Sequence, residues 1–372
     1  MSCYGFQAAA ASFPLSEGDA YFEVSPPHTY ERTPPNLFNA ISSEAETLRQ
    51  LYRHFAEDRA CCPGEGSVSL DSCYIYEGQY VVNKELNWLA PSVTDYHVRN
   101  EVLPVLRRVI SGNYQGALDQ SADCTYVVLA KAGCANFGHF LTDVAPKIIN
   151  LSKIKARTFR ILWPQDAMRY SHIVLALCGH LGINADLVVA KAEQLVSARD
   201  VLCFTSVAEH DRRKSVTLLD LRDVLLSLCR VQMHGSRKIF IERGQKGHRR
   251  LSNQEQVWSL FKSLGFEAVY PAALPFHEQV RLFAQASHIA GTLGAGMANA
   301  IFARPGAELL MIAPAILDLY FWDLACLCKH VFHWHFTQDI THWQWADSLA
   351  DYEADLPQLQ ATLSRVRWAS SS

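Results

Sequence analysis

The spacing of apolar and polar positions changes character along this chain. Residues 1–65 hold no sustained period: a proline-rich run, SPPHTYERTPPN, precedes SSEAETLRQLYRHFAED, which reads as a helix. Residues 67–100 alternate and break at EGQ and NKE, which predicts short strands and hairpins. From about residue 125 the texture shifts. The strand CTYVVLA is followed by the helical NFGHFLTDVAPKIINLSKI, and the strand TFRILWP by the helix QDAMRYSHIVLALCGHLG, closed by Gly182. Two further strands, ADLVVA and DVLCFT, precede the helix VTLLDLRDVLLSLCRVQ. This alternation predicts parallel α/β architecture.

The second half repeats the alternation more cleanly. RKIFIER is a strand; in SNQEQVWSLFKSLGF, Ser252 and Glu255 have the spacing of a capping box. Val257, Leu260, Phe261 and Leu264 fall on one helical face, and Gly265 suits the position just past its end. EAVYP, PFHEQVRLFAQAS, HIAGT, AGMANAIFAR and AELLMIAP then alternate strand, helix, strand, helix, strand. Residues 237–315 therefore read β-α-β-α-β-α-β, a Rossmann-like domain.

Three glycines, Gly291, Gly294 and Gly296, punctuate the hand-over from HIAGT to AGMANAIFAR. Glycines at a strand's carboxyl end allow positive φ and leave no Cβ between amides and a ligand. The free N–H groups of a following helix favour an anion, and a phosphate is the natural candidate. The spacing is G-x-x-G-x-G and lies on the wrong strand for a dinucleotide fingerprint, so tight packing alone is the competing explanation. A second signal is basic: IERGQKGHRRLSNQEQ places Arg243, Lys246, His248, Arg249 and Arg250 between a strand end and a helix start. Arginine fits phosphate oxygens in a bidentate fork, although a solvated loop is the bland alternative. Both features fall in one domain, which favours a shared diphosphate site.

Composition narrows the classes. The 372 residues are 49% hydrophobic and 19% charged, ordinary for a globular protein, and the length favours two domains. A formal net charge of -3 argues against nucleic acid as a partner. No run of 18 apolar residues predicts a membrane span, and the N-terminus lacks the basic region of a signal peptide. The 11 cysteines are scattered without a C-x-x-C pair, which fits free, mostly buried thiols in a reducing cytoplasm.

The order of these motifs resembles glycosyltransferase family 61. The carriers are IERGQKGHRRLSNQEQ, LGFEAVYP and FHEQVRLFAQASHIAGTLGAGMANAIFARPGAELLMI, together with NFGHFLTDVAPKI at 136–148. The last is similar to the family's N-Y-x-H-W-x-x-D-x-x-P segment, with His139, Asp143 and Pro146 in register. The resemblance implies a GT-B-like α/β fold, two Rossmann-like domains facing across a cleft. It implies an inverting transferase using a nucleotide sugar, usually a UDP-sugar, with no essential metal or other cofactor; the absence of a D-x-D motif agrees. One departure stands out: Leu293 occupies the position where the family carries His.

The expected domains are 1–230 on the acceptor side, 231–345 for the nucleotide sugar, and 346–372 as a helix returning to the N-terminal domain. Inverting transfer needs a base for the acceptor proton and a clamp for the departing diphosphate. The clamp candidates are Arg243, Arg249 and Arg250 with the backbone of Gly294, Ala295 and Gly296; Asn299 either bonds the nucleotide or caps a loop. The base is Asp143 or His139, four residues apart, with an ion pair from Asp143 to Lys147 as the structural alternative. Glu242 receives no role, and Gln279 a supporting one. HVFHWHFTQDITHWQW carries His330, His333, His335 and His342 among aromatics; His333 and His335 share a strand side but lack further ligands, so an aromatic wall is the preferred reading over a metal site.

The expected partners are a nucleotide sugar and a saccharide or lipid-linked acceptor, with peripheral association at the inner membrane and cytoplasmic residence in a bacterial-style surface-polysaccharide pathway. A non-catalytic nucleotide- or polysaccharide-binding protein of the same fold is the alternative. A different phosphate-handling α/β enzyme is disfavoured by the missing dinucleotide and Walker signatures.

Overall fold

A computed structural model of the chain describes residues 17–41, 45–86, 89, 104–105, 107–112, 116–118, 124–154, 158–209, 213–244, 249–314, 316–338 and 350–368. Two compact units divide the chain: Met1–Thr29, Cys61–Glu209 and Lys214–Val224 form the first, and Tyr30–Ala60, His210–Arg213 and Leu225–Ser372 the second. The later hand-over between the units falls at Val224/Leu225, and the second unit also recruits residues 30–60.

The first unit is built on a seven-stranded mixed sheet. Cys124–Val128 lies parallel to Leu195–Phe204 on one side and to Thr158–Pro164 on the other, with Ala185–Ala190 completing the parallel half. Leu195–Phe204 is also antiparallel to Glu65–Tyr76, which pairs in turn with Ala20–Ser25 and Tyr80–Asn83. The parallel alternation expected from about residue 125 therefore holds, and Glu65–Tyr76 with Tyr80–Asn83 is a hairpin of the kind expected within 67–100, turned at Glu77 and Gly78, both with positive φ.

The second unit has a six-stranded sheet, parallel throughout, in the order Glu267–Val269, Arg237–Ile241, Ala286–Thr292, Glu308–Ala313, Val331–Phe336, Asn36–Phe38. Ile289, Ala290 and residues Leu309–Ala313 are buried, as expected of strands covered on both faces. The last strand in space comes from the N-terminal part of the chain. It is anchored beside the helix Tyr320–Cys328: Arg32 donates to Asp323 at 2.8 Å, and the Trp322 indole donates to the Thr33 carbonyl at 2.8 Å.

The terminal amphipathic segment forms the helix Leu356–Arg365. Its buried Leu359 and Leu363, one turn apart, join Phe240, Val257, Phe261, Leu310 and Trp368 in one core. The helix accordingly packs within the second unit. Both units are mixed α/β with parallel strands, compatible with a GT-B-like fold. No helix among the described residues is long and apolar enough to cross a membrane, and the ten described cysteines are all free thiols.

Candidate functional site

The first strand of the second unit's α/β run, Arg237–Ile241, is flanked on both sides by later strands, Glu267–Val269 and Ala286–Thr292. The chain leaves it first one way and then the other. Loops therefore diverge at the carboxyl ends of Arg237–Ile241 and Ala286–Thr292, and such a switch point is where open α/β sheets bind ligands. Arg243 follows the first of these strands, and the glycine turn follows the second.

The two are tied together. Arg243 donates through a terminal guanidinium nitrogen to the Leu293 carbonyl at 2.6 Å, and the Leu293 N–H donates to the Ile312 carbonyl of the next strand at 3.1 Å. Leu293, at the position where the family carries His, is 1% exposed, so its side chain points into the protein. None of the three glycines is in the left-handed region; Gly294 is extended at φ 178°. Their use is the missing Cβ. A Cβ on Gly291 would meet the Ile241 Cβ at 2.9 Å, one on Gly296 would press the Ile241 Cγ2 at 3.3 Å, and one on Gly294 would lie against the Arg243 guanidinium at 3.4 Å. Gly291 and Gly296 thus serve packing, while Gly294 leaves backbone open beside the arginine.

Beyond the turn, Ala295–Phe302 is a 3-10 helix rather than the α-helix expected. The first N–H groups of a helix have no intrahelical acceptor, so the Ala295 and Gly296 amides stand at its donor end. Asn299 is buried. Its amide nitrogen donates to Gln279 Oε1 at 3.0 Å and to the Gly296 carbonyl at 3.2 Å, and its Oδ1 has no hydrogen-bond partner. Gln279 donates to the Leu274 carbonyl at 3.0 Å. This geometry makes Asn299 and Gln279 an internal staple of the turn.

Arg249 is buried, with φ 58° in the left-handed region. Burial and the neighbouring Arg243 cation push its guanidinium down from the ordinary arginine range, while Asp318 and Tyr352 act the other way. Two arginines thus stand within electrostatic reach of each other at the switch point. Arg250 differs: its Nε and backbone N–H both donate to Asp351, each at 2.9 Å, in an exposed ion pair. Of the three arginines named from sequence, Arg243 and Arg249 neighbour each other, and Arg250 is paired with Asp351. Lys246 and His248 lie outside the described residues. A cavity of about 1260 Å³ opens beside Arg243, lined by Glu242, Gly244 and Tyr270 and by the start of the helix Gln254–Ser263. The capping box does not form there. Ser252 donates to the Tyr352 carbonyl at 3.0 Å, and the N-cap is Asn253, whose side chain is engaged with Ala354.

The first unit holds the other candidates. Asn136 caps a single α-turn, Phe137–His139, by accepting from the Gly138 N–H at 2.9 Å. A π-turn, Phe140–Val144, follows, then the helix Pro146–Ser152. Proline lacks the N–H that would continue the ladder, so the π-turn sits where the helix must restart. His139 and Asp143 meet across this turn, with Nδ1 and Oδ2 2.8 Å apart. Lys131 pairs with the same carboxylate oxygen at 2.8 Å, and the Thr142 hydroxyl donates to Oδ1 at 2.6 Å. Burial would raise the Asp143 carboxyl, but Lys131 and His139 together hold it well below the usual carboxylate range. The expected alternative partner, Lys147, instead donates to the Leu129 carbonyl at 3.0 Å; burial and the Lys131 charge push its amine down to about 8. Lys131 was not singled out from sequence, where it stands as one lysine at the end of an apolar strand.

The histidine-rich segment resolves into separate partners. His333 bonds Glu308 and Asn36, each at 3.1 Å, while His335 bonds the Thr362 hydroxyl at 2.9 Å. Among the described residues no group of three His, Cys, Asp or Glu side chains could hold a metal ion; His342 lies outside them. Trp334 and Phe336 are fully buried, so these rings belong to the core.

Among known proteins, no curated sequence matches the chain. The family model described as Glycosyltransferase 61 matches residues 137–310, a span that starts at the His139–Asp143 turn and runs through the arginine loop and the glycine turn. Over those residues the chain is similar to glycosyltransferase family 61.

Proposed function

We propose that the protein is an inverting glycosyltransferase that moves a sugar from a UDP-sugar to a saccharide or lipid-linked acceptor. The observation that carries this reading is Arg243 held at the switch point against Leu293 and Gly294, with the Arg249 cation near it. Two cations held near each other in a partly buried place repel, and a diphosphate bound between them would relieve that cost. The same groups would stabilise the leaving diphosphate as the glycosidic bond breaks, without a metal ion. GT-B organisation is part of this reading, with one unit holding the donor and the other handling the acceptor proton.

The proton falls to the His139–Asp143 pair. Both Asp143 oxygens are already engaged, and its low proton affinity makes it a weak base. The His139 side chain is 26% exposed against 7% for Asp143, so imidazole is the member placed to meet an acceptor, with Asp143 orienting it. Cytoplasmic residence, with an acceptor presented at the inner membrane face for surface polysaccharide, belongs to the same proposal.

Calorimetric titration of UDP tests the donor site. Micromolar binding retained in EDTA and abolished by Arg243→Ala is the expected result; absence of binding to the intact protein would overturn it. A screen of UDP-sugars for UDP release then identifies the donor.

A further inference from the structure

Residues Asp351–Asp355, which precede the terminal helix, form a strap laid along the arginine loop. Tyr352 accepts from the Ser252 N–H at 2.8 Å and donates its own N–H to the Arg250 carbonyl at 2.9 Å, a parallel bridge outside the main sheet. On either side, Asp351 takes the Arg250 side chain and N–H, and Ala354 exchanges two bonds with the Asn253 side chain at 2.8 and 3.1 Å. The Tyr352 ring is buried and enters the core beside Phe240, Leu251 and Ile312. Its hydroxyl donates to the Ile312 carbonyl at 3.3 Å and has the Thr292 side chain as a polar neighbour. Ile312 is also the residue whose carbonyl holds the Leu293 N–H, and Thr292 leads directly into the glycine turn.

One residue therefore touches both halves of the candidate cradle. Its backbone fixes Arg250–Ser252, directly after Arg249, and its hydroxyl bonds the Ile312 carbonyl that also holds the Leu293 N–H. The left-handed backbone of Arg249 costs on the order of 1–2 kcal/mol for a residue with a Cβ. It persists only where neighbours hold it, and the Arg250 N–H bound to Asp351 is such a hold.

We infer that Tyr352 is a positioning residue of the donor site: it sets the spacing between the arginine loop and the glycine turn, and so the fit of the diphosphate. This rests on the nucleotide reading above. The role predicts selective loss. A changed clamp spacing weakens contacts to the second phosphate while leaving those to the nucleoside.

The test is calorimetric titration of UDP and UMP into the full chain and into Tyr352→Phe, which keeps the ring in the core and deletes the hydroxyl. UDP should bind about fivefold more weakly, the scale of one lost hydrogen bond, with UMP within about twofold of the parent. Asp351→Ala, an exposed change, should show the same selectivity to a smaller degree and covers the case in which Tyr352→Phe does not fold. Equal weakening of UDP and UMP, or a lowered melting temperature with unchanged UDP affinity, would reduce Tyr352 to a structural residue and overturn the inference alone. Failure of the parent to bind UDP would remove the donor site itself and the inference with it.

Discussion

Leu293 illustrates what a single position discloses. Met against the family pattern, it is a missing histidine in a ligand cradle. In the fold its side chain is buried, and only its carbonyl contributes, by accepting from Arg243. Leu293→His would then not restore a donor. It would bury an imidazole in an apolar site, and we expect a stability loss of about 1–3 kcal/mol in urea titrations with no gain in UDP affinity. Gly291→Ala should cost a similar about 1–3 kcal/mol, because the added methyl meets the Ile241 Cβ at 2.9 Å. On the chemical side, His139→Ala should lower turnover by about 100-fold or more with UDP affinity unchanged. Asp143→Asn, which keeps the size but cannot hold the imidazole through an anion, should lower it too. Full turnover in His139→Ala would remove the base assignment. The residue types of the site were legible because arginine, glycine, histidine and aspartate stand at informative spacings. Their orientations were not: nothing in RRLS distinguishes the inward Arg249 from the outward Arg250, since Asp351 lies a hundred residues away.

At the scale of elements, the periodicity of the second half carried nearly the whole parallel sheet, because fully buried strands and one-faced helices leave unlike patterns. It failed where an element's partner is remote. Ser252 and Glu255 satisfy the capping-box spacing, yet Ser252 is drawn to the Tyr352 carbonyl instead. Asn36–Phe38 is too short to signal a strand, and it exists because Val331–Phe336 offers it an edge. The terminal helix was legible as amphipathic, whereas the surface its apolar stripe covers was not. Leu359→Ala removes a fully buried side chain from that stripe and should destabilise the second unit by about 2–5 kcal/mol, read from denaturant midpoints.

For the whole molecule, acid sensitivity has an identifiable source. His335 is buried between the last long strand and the terminal helix, and burial pushes its imidazole down to about 4, partly offset by Asp355. The unfolded chain takes up that proton as pH falls through about 6.5, while the folded protein resists until about 4. Stability is therefore complete above the upper value and declines through this window by up to roughly 3 kcal/mol. Urea midpoints measured at pH 7 and pH 4.5 should diverge less in His335→Gln than in the parent protein. An equal divergence would place the acid sensitivity elsewhere.

The edge strand Asn36–Phe38 has a consequence in the order of synthesis. The second unit's sheet is closed by residues that leave the ribosome nearly three hundred residues ahead of their partner strand, Val331–Phe336. Arg32 likewise must wait nearly three hundred residues for its partner Asp323 to be made. The early segment is thus held in reserve while the first unit is being made, and a fragment starting at residue 225 would be born with an open sheet edge and a buried carboxylate lacking its arginine. Such a fragment should accumulate as aggregate, and supplying residues 30–60 in trans should recover part of it in the supernatant.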